Sequence, residues 1–568
     1  MNPLEAAEAA IAADHAHNDP AIWITRVPDA AVLARAEALR DEGPCGRPLW
    51  GMVCAVKDNI DVAGLPTTAA CPGFAYTPQT TAPTVQKLLD AGAILLGKTN
   101  LDQFATGLVG TRSPYGTPRN MFDLARVPGG SSSGSGWAVA AGIVSFALGT
   151  DTAGSGRVPA AFGNIVGLKP TLGSVSTRGV VPACRSVDTV SVLARTVDEA
   201  LAVQRVIAGF DDADPYSRRP PFAHLRRTAE QPHARIAMGD VAALCESETA
   251  AMFERAGAAL GAVKIDVAPF LEIARLLYEG PWVAERTVVL RSVLEHQPDI
   301  LLPVTRKILE SGLSRLAVDA FAAFHRLTEV RSLAERMFQE YDALLLPTAP
   351  FCPTLEEVAA DPLNPNRRLG TLTNFVNLCD LTGYAIPAGF GADDLPVGVT
   401  LLGPAWSEGR LAAIADTLHR KLSTTIGATG DLLPPPTPPD PLADEETALF
   451  CIGAHMSGLP LNPQITSLGG RFVRSARTAP TYRLHALGNR PGMQRVASGA
   501  SIAGEVWALP TAAIGTLLAL VPPPLGFGTV ELEDGPCLGF LAESAGIADA
   551  PDISRFGGWR AWLLAKEH

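Results

Sequence analysis

The stretch Gly129–Thr171, GGSSSGSGWAVAAGIVSFALGTDTAGSGRVPAAFGNIVGLKPT, carries the strongest structural signal in the chain. Its Gly/Ser-rich opening has the composition of a flexible linker. A linker, however, does not usually continue into a small-residue helix (137–142) and an apolar strand (143–148). Tight Gly/Ser turns between strands and helices leave backbone N–H groups available to bind anions or oxyanions. The stretch therefore indicates a site that uses backbone amides.

Three common glycine-rich motifs fit this stretch poorly. A Walker A loop ends in Gly-Lys-Ser/Thr, and no lysine follows here; the dinucleotide pattern G-x-G-x-x-G is also absent. Gly130–Gly134 formally matches the G-x-S-x-G nucleophile elbow, which should follow a strand directly and needs a partner histidine. The preceding residues 119–128 form a polar loop, and no downstream histidine lies in a sequence motif that would mark it as the catalytic partner. The nucleophile elbow is therefore disfavoured.

A lysine is the second informative feature. The segment VCAVKDNI places Lys57 at the end of an apolar strand and close to the core. One interpretation is a surface lysine whose stem packs along apolar side chains. The other is a desolvated lysine with a depressed pKa, which could act as a base near neutral pH. The strand alone leaves both interpretations open.

Four segments together resemble the amidase signature family over about residues 20–425: Lys57, residues 129–134, residues 150–157 (TDTAGSGR) and residues 167–171 (GLKPT). Lys57 precedes Ser131 by 74 positions, and Ser131 precedes Ser155 by 24, which matches the family's Ser-cisSer-Lys spacing. Two positions depart from the family pattern, with Ala153 in place of a common Gly and Gly156 in place of a common Ile. Neither change removes a catalytic group.

The resemblance implies a role for each group. Ser155 would be the nucleophile, and Ser131, preceded by a cis peptide bond, would relay its proton to neutral Lys57. Lys57 would then protonate the leaving amine through Ser131, and water would hydrolyse the acyl-enzyme. No metal and no organic cofactor is needed. The oxyanion hole would consist of the backbone N–H groups of four consecutive residues: Thr152, Ala153, Gly154 and Ser155.

Substrate selection is expected elsewhere, in the segment LLYEGPWVAER. The Gly-Pro pair at 280–281 ends one helix and begins another. Tyr278 ends the first helix and Arg286 lies on the second, so both could face one cleft. An arginine there could bind a carboxylate through two hydrogen bonds. The alternative is that Arg286 pairs with Glu279 or Glu285 on a solvated helix.

This segment looks like that of the allophanate hydrolases. Five more segments share the resemblance, which thus spans nearly the whole chain: residues 23–26 (WITR), 107–116 (GLVGTRSPYG), 366–377 (NRRLGTLTNFVN), 453–462 (GAHMSGLPLN) and 556–562 (FGGWRAW). It implies hydrolysis of allophanate (urea-1-carboxylate), with Arg286 and Tyr278 holding the substrate carboxylate. Ser155 would attack the terminal amide carbon and expel ammonia. The product, N-carboxycarbamate, would break down to ammonia and carbon dioxide.

A proline-rich segment divides the chain. Six prolines lie between positions 434 and 441, a composition that favours extended, semi-rigid spacers. We therefore predict an amidase signature domain at 1–428, a linker at 429–447 and a C-terminal domain at 448–568. In the long part, alternating strand and helix patterns predict an α/β fold with a mixed, mostly parallel sheet covered by helices.

The short part predicts a small α+β domain. Its loop around His455 and its segment 502–507 are weakly similar to a γ-glutamyl-cyclotransferase-like fold. One interpretation is a second site that speeds N-carboxycarbamate decarboxylation, with His455 as the proton donor. The alternative is a structural or oligomerising module.

Composition excludes several classes of protein. The formal net charge of −12 argues against dedicated nucleic-acid or anionic-membrane binding, which would need a basic face. No apolar run reaches the length of a membrane span. The start of the chain lacks the cationic region of a signal peptide and reads as an amphipathic helix. Nine scattered cysteines predict free thiols, and we expect a cytoplasmic protein.

Two alternatives remain beside the allophanate hydrolase interpretation. The first is an amidase-fold transferase of the kind found as the A-type component of a tRNA amidotransferase, or another small-amide amidase; the acidic balance and Arg286 weigh against a tRNA partner. The second is a non-catalytic scaffold, against which the intact set Lys57, Ser131 and Ser155 weighs. We also expect a homodimer, and a functional link to a urea carboxylase or a triazine-degradation enzyme as the source of allophanate.

Overall fold

The computed structural model describes residues 2–567 and consists of two compact units. Met1 and His568, the outermost residues of the two predicted domains, lie outside this range. The first unit contains the residues up to Pro220, then Ile236–Phe338 and Ala343–Pro436. The second contains Pro221–Arg235, Gln339–Asp342 and the residues from Thr437 onward. Two short segments of the long part thus belong to the second unit, which no compositional signal indicated.

A large sheet forms the centre of the first unit. Within the described residues it has eleven strands, in the order β1-β3-β2-β4-β6-β5-β10-β11-β9-β7-β8. Most of these strands are buried along their length, as expected where helices cover a sheet on both sides, whereas β1 is partly buried and β8 is largely exposed. The strands are β1 (Trp23–Arg26), β2 (Val53–Lys57), β3 (Ile94–Thr99), β4 (Phe146–Asp151), β5 (Val166–Lys169), β6 (Thr189–Ala194), β7 (Ile236–Gly239), β8 (Val263–Ile265), β9 (Ala343–Pro347), β10 (Thr382–Phe390) and β11 (Pro396–Gly403).

The predicted mixed sheet is confirmed, but its pairing is not mostly parallel. Among residues 2–567, β2–β3, β2–β4, β7–β8 and β7–β9 are parallel, and the six other neighbouring pairs are antiparallel. A short connection explains one of the antiparallel pairs, because a parallel pair needs a long crossover. Only five residues, 391–395, join β10 to β11, which therefore pair as a hairpin.

Helices surround this sheet. They are α1 (Pro3–His17), α2 (Asp29–Glu42), α3 (Pro83–Asp90), α4 (Ser133–Ala140), α5 (Arg157–Phe162), α6 (Val197–Ile207), α7 (Ser247–Leu260), α8 (Ala268–Glu279), α9 (Trp282–His296), α10 (Pro303–Gly312), α11 (Ala317–Glu340), α12 (Leu355–Ala360), α13 (Asn364–Gly370), α14 (Asn374–Leu378) and α15 (Glu408–Leu422). None of the helices described in residues 2–567 combines the length and the apolar character that crossing a bilayer requires.

Helix α4 shows why the Gly/Ser-rich stretch folds as it does. Every residue of α4 is buried, and a Cβ atom on Gly134 would lie 2.3 Å from the carbonyl oxygen of Ile22. Only small residues permit this close packing. The predicted helix at 137–142 is therefore longer at its start, because the serines after Ser131 form its first turn. It ends at Ala140, and the following strand starts at Phe146 rather than Ile143.

The second unit is an α+β structure built on a five-stranded sheet in the order β15-β18-β14-β20-β19, within the described residues. Two short strands, β12 (Thr425–Ile426) and β13 (Asp431–Leu432), precede it in the chain. The core of the second unit packs around Phe450, Trp507 and Trp559. Its elements are β14 (Glu446–Cys451), β15 (Arg471–Arg477), β16 (Tyr482–Leu487), β17 (Arg490–Arg495), β18 (Ala503–Pro510), β19 (Leu525–Leu532), β20 (Gly535–Ala542), α16 (Asn462–Thr466), α17 (Ile514–Ala519), α18 (Ser544–Ile547) and α19 (Trp559–Glu567). The prolines at 434–441 lie in no regular element.

Candidate active site

Lys57 ends β2 in the middle of the first unit and is 0% exposed. Its Nζ donates hydrogen bonds to Ser131 Oγ at 2.8 Å and to Thr150 Oγ1 at 2.7 Å. Burial lowers the pKa of Lys57 to about 7, although Asp102 and other nearby carboxylates act in the opposite direction. The solvated surface lysine is therefore excluded. A fraction of Lys57 is neutral at neutral pH and can accept a proton.

Ser131 lies just before α4, and the Gly130–Ser131 peptide bond is cis. No side chain fits at Gly130, where a Cβ atom would lie 2.2 Å from Asp102 Oδ2. Asp102 in turn accepts hydrogen bonds from the Gly110 and Arg112 backbone amides at 3.0 and 2.9 Å. The loop around Ser131 is thus closely packed against a buried carboxylate, which holds the serine hydroxyl at Lys57.

Ser155 lies on the second loop of the site, between β4 and α5, and is 1% exposed. The Ser132 amide donates to the Ser155 carbonyl oxygen at 3.2 Å, which joins the two serine loops. Ser155 Oγ is directed at the Gly107 carbonyl oxygen at 3.5 Å, which is longer than an ordinary O–H···O hydrogen bond. The structure therefore brings together the segments of all three predicted catalytic residues and shows the Lys57–Ser131 hydrogen bond.

Asp151 shapes the predicted oxyanion loop. Its buried carboxylate accepts hydrogen bonds from the Gly154 amide at 2.9 Å and the Gly156 amide at 3.1 Å, and pairs with Arg157 at 2.9 Å. Burial acts to raise the pKa of Asp151, but Arg157 and the loop amides hold it below its ordinary value. Because the Gly154 N–H already donates to Asp151, it is not available to an oxyanion. The predicted hole is thereby reduced to the amides of Thr152, Ala153 and Ser155.

Sequence analysis did not predict a role for two residues near this site, Thr150 and Asp188. Thr150 contacts Lys57 but looks like an ordinary strand residue. Asp188 is a buried residue, and burial raises the pKa of its carboxyl to about 6. It accepts a hydrogen bond from Thr152 Oγ1 at 2.6 Å and two from the Cys184 amide at 3.0 Å. Asp188 therefore supports the oxyanion loop. No local motif marks it, since it is a lone acidic residue before β6.

Arg286 and Tyr278 face each other. Arg286 lies on α9 and is 2% exposed, and its guanidinium carbon lies 5.3 Å from the centre of the Tyr278 ring. Arg286 Nη1 donates to Thr106 Oγ1 at 2.7 Å. The Tyr278 hydroxyl is buried and has no hydrogen-bond partner within residues 2–567. A buried tyrosine hydroxyl normally has a partner, so a ligand would satisfy it.

The alternative pairing of Arg286 is excluded. Glu285 accepts hydrogen bonds from the amide and hydroxyl of Ser186 at 2.8 and 2.7 Å, and Glu279 lies 3.8 Å from Arg367. In the described part of the chain, Arg286 forms no ion pair; its protein acceptors are Thr106 Oγ1 and the Ala105 carbonyl oxygen. A buried, charged guanidinium is costly without a counter-charge. This arrangement therefore suits an anionic ligand.

His455 lies in the second unit beside a cavity of about 590 Å³. Its Nε2 is 3.0 Å from Gln464 Oε1, and its ring stacks on Phe540 with centres 4.9 Å apart. Burial lowers the pKa of His455. Glu505, on β18 of the same unit, already accepts hydrogen bonds from the Ser457 amide and hydroxyl, Trp507 and Arg560.

Residues 2–567 contain no group of three or more His, Cys, Asp and Glu side chains arranged to hold a metal ion. The groups that the first unit offers for chemistry are a buried amine, serine hydroxyls, backbone amides and a guanidinium. Such a set can deliver an activated serine to an amide carbonyl and stabilise the charge that develops on its oxygen.

Comparisons with known proteins identify the family of this chain. Residues 5–412 match the family model described as Amidase, and residues 447–564 match the one described as Allophanate hydrolase C-terminal domain. The chain belongs to the amidase family. Its pair of domains is the one that the sequence resemblance to allophanate hydrolases implies.

Individual relatives extend the comparison. The chain is 41% identical to Urea amidolyase of Saccharomyces cerevisiae over 95% of its own length, but it spans only 31% of that protein. It is similar to the solved structure of Kluyveromyces lactis allophanate hydrolase, with 39% identity, a TM-score of 0.77, and coverage of 100% of this chain and 97% of that one. The A-type component of the glutamyl-tRNA(Gln) amidotransferase of Symbiobacterium thermophilum is 36% identical, with coverage of 73% of this chain and 92% of that protein.

Proposed function

We propose that this chain is an allophanate hydrolase, which hydrolyses the terminal amide of urea-1-carboxylate. The observation that carries the proposal is the pair Arg286 and Tyr278. A buried guanidinium without a carboxylate partner and a buried hydroxyl without a hydrogen-bond partner face each other. A small amide that bears a carboxylate supplies what both lack. Similarity to K. lactis allophanate hydrolase over both domains supports the same substrate.

The chemistry begins at Ser155. Its hydroxyl passes a proton to Ser131 as Oγ attacks the terminal amide carbon, and Ser131 passes its own proton to neutral Lys57. The backbone amides of Thr152, Ala153 and Ser155 stabilise the tetrahedral oxyanion. Lys57 returns the proton through Ser131 to the departing nitrogen. The C–N bond breaks, ammonia leaves, and the acyl group remains on Ser155.

Water completes the reaction. The oxygen of water bonds to the acyl carbon while neutral Lys57 accepts a proton from the water through Ser131. The C–Oγ bond to Ser155 then breaks, and Lys57 returns the proton through Ser131 to Ser155 Oγ. The product is N-carboxycarbamate, which breaks down to a second ammonia and carbon dioxide. Arg286 and Tyr278 hold the carboxylate throughout, so the reacting carbon stays in one position. No step requires a metal or an organic cofactor.

An amidotransferase component of the A type is the second candidate within the family. The relatives of that kind match only the first part of the chain, 73% of it in the Symbiobacterium case. The match to the allophanate hydrolase C-terminal domain at residues 447–564 favours the hydrolase. A non-catalytic scaffold is disfavoured by the Lys57–Ser131 hydrogen bond and the pKa of Lys57 near 7.

For the second unit we propose a role in the breakdown of N-carboxycarbamate, with His455 as the proton donor. Its place beside a cavity supports this role over a purely structural module. His455→Asn should slow carbon dioxide release and leave the first ammonia unaffected, as measured by following both gases after mixing with allophanate. Unchanged carbon dioxide release would refute the role.

Partners and location follow the proposed activity. We propose a cytoplasmic homodimer that receives allophanate from a urea carboxylase or from triazine degradation. The names of two similar proteins support these sources: Urea amidolyase, and a solved structure, 28% identical over 75% of this chain, whose description concerns an s-triazine catabolic enzyme.

The deciding experiment is ammonia release from freshly prepared allophanate by the wild type beside Ser155→Ala. Allophanate decays spontaneously to urea, so substrate loss is not a safe measure. The proposal expects fast release that vanishes in the variant, with urea untouched. No release from allophanate, alongside hydrolysis of other small amides, would keep the serine chemistry and overturn the carboxylate argument.

A further inference from the structure

A tight loop at residues 102–106 lies against Arg286. Two successive non-glycine residues of this loop, Phe104 and Ala105, both have φ of +53°, a region that side chains disfavour. This backbone directs two acceptors at the same nitrogen: the Ala105 carbonyl oxygen at 3.4 Å and Thr106 Oγ1 at 2.7 Å from Arg286 Nη1. The loop thus adopts an unfavourable conformation that fixes one edge of the guanidinium.

The same threonine anchors a second buried arginine. Arg112 is 4% exposed, and its Nη1 donates to the Thr106 carbonyl oxygen at 2.7 Å. Its Nη2 donates to the Pro362 carbonyl oxygen at 2.5 Å, and its Nε is buried without a partner among residues 2–567. Asp102 accepts the Arg112 backbone amide and forms no ion pair with its side chain in the described chain. Two guanidiniums therefore converge on Thr106.

The acceptors around both guanidiniums are neutral. Hydroxyl and carbonyl oxygens satisfy N–H groups without cancelling the positive charge, whereas an aspartate or glutamate would cancel it. Asp102 and Asp188 interact electrostatically with Arg112 and Arg286, respectively, but no carboxylate pairs directly with either guanidinium in the described residues. Both guanidiniums can therefore still attract an anionic ligand in a region of low dielectric, where charge interactions are strongest. Nη1 of Arg286 is committed to Thr106, so Nε and Nη2 are the donors left for a carboxylate.

We propose that Thr106 is the positioning residue that makes this site selective for carboxylate-bearing amides. It orients Arg286 through a neutral hydroxyl and, through its carbonyl oxygen, places Arg112 as a second positive charge. This inference rests on the proposed function. The class of substrate it defines is a small linear amide with a carboxylate one atom away from the reacting carbonyl.

Two substrates isolate this selectivity. Allophanate carries a carboxylate where biuret carries a carboxamide of the same size, and the reacting amide is identical. A neutral carboxamide leaves the buried guanidiniums without a counter-charge, so the wild type should prefer allophanate. Thr106→Val keeps the shape of the side chain and removes the acceptor, while Thr106→Ser keeps the acceptor and is the matched control.

For Thr106→Val we expect KM for allophanate to rise about tenfold, the value of one charged hydrogen bond, while kcat changes little. The kcat/KM for biuret should stay near that of the wild type. Thr106→Ser should restore the allophanate KM to within about twofold of the wild type. Thr106→Asp cancels the charge of Arg286 and should remove the preference for allophanate over biuret.

Labelling of Ser155 by a fluorophosphonate reports whether each variant keeps its fold and its nucleophile. The inference is overturned if Thr106→Val loses both substrates equally while still labelling, if it loses kcat rather than KM, or if it behaves like the wild type. A wild type that releases no ammonia from allophanate would instead overturn the proposed function, so the two failures are distinguishable.

Discussion

The candidate site has a lysine end, formed by Lys57 and the serine loops, and an arginine end, formed by Arg286 and Tyr278. The two ends accommodate a buried cation in opposite ways. Lys57 is surrounded by hydroxyl groups, and burial lowers its pKa to about 7, so it readily gives up its charge. Arg286 is equally buried but keeps its charge, because a guanidinium is not deprotonated in proteins. The first arrangement makes a base, and the second makes a permanent electrostatic anchor. The residue type decides which role burial produces.

The largest expected effect is at the lysine end, on the nucleophile that Lys57 activates. Ser155→Ala should lower kcat for ammonia release by about 10⁴-fold or more, since members of a catalytic triad act as a unit. Ser133→Ala is the matched control, because Ser133 is the buried first residue of α4 and its hydroxyl makes no hydrogen bond in the described chain. Stopped-time ammonia assays compare the two. Wild-type turnover by Ser155→Ala would refute the role of Ser155 as the nucleophile.

The next effect tests the arginine end. Arg286→Lys keeps a positive charge but loses the planar fork, and should lower kcat/KM for allophanate by about 100-fold. Its kcat/KM for biuret should change far less. Initial rates on both substrates measure the difference. If Arg286→Lys matched the wild type on allophanate, charge alone would suffice and the bidentate contact would be refuted.

The pH dependence separates the two ends. A base must be neutral to act, so kcat/KM should fall about tenfold per pH unit below the pKa of Lys57, near 7, and level off above it. Arg286→Lys should lower the plateau and leave the midpoint near pH 7. A pH series of kcat/KM for both proteins checks this. A midpoint that moves with Arg286 would show that the two ends do not act independently.

A third buried base gives the smallest expected effect, on stability. His419 is fully buried in α15, and burial lowers its pKa to about 4, with Asp416 and Arg420 acting in opposite directions. The unfolded state, with a pKa near 6.5, binds the proton more readily. The neutral histidine therefore makes its full contribution to the free energy of unfolding above pH 6.5, and this contribution is lost as the pH falls towards 4.

Lowering the pH from 7 to 5 should therefore reduce the free energy of unfolding of the wild type by about 2 kcal/mol through this group. His419→Phe should lack this contribution. Urea unfolding at both pH values measures it, with His325→Phe on the exposed part of α11 as the control. An identical pH response of His419→Phe and the wild type would show that this histidine does not sense acid in the fold.

The sequence predicted the parts of the site that depend on spacing. Lys57, Ser131 and Ser155 are far apart in the chain, yet their intervals and the small residues around them identified the serine loops. The helix break between Tyr278 and Arg286 suggested only that both could face one cleft, and the resemblance to allophanate hydrolases assigned them to the substrate carboxylate. Each of these features lies in a short segment with a recognisable pattern, so the sequence alone can reveal it.

The rest depends on contacts between distant segments. Asp188 supports Thr152 from 36 positions away, and Thr106 meets Arg286 across 180 positions. Nothing in the sequence around Asp188 or Thr106 sets them apart. The Gly154 amide was predicted for the oxyanion hole but donates to Asp151, because the acidic residue that ends β4 folds back over the turn. Sheet direction was also missed, since strand patterns do not encode it.

The second unit is built from separate segments of the chain, which limits where the protein can be divided into fragments that fold. The Ala229 amide donates to the Phe472 carbonyl oxygen at 3.1 Å, and the Arg227 amide donates to Asp440 at 2.7 Å, so residues from the long part of the chain complete the smaller unit. A fragment cut at the proline-rich segment would lack them. Gene fusions that treat the C-terminal region as an exchangeable cassette should therefore carry Pro221–Arg235 with it, or supply a substitute for those contacts.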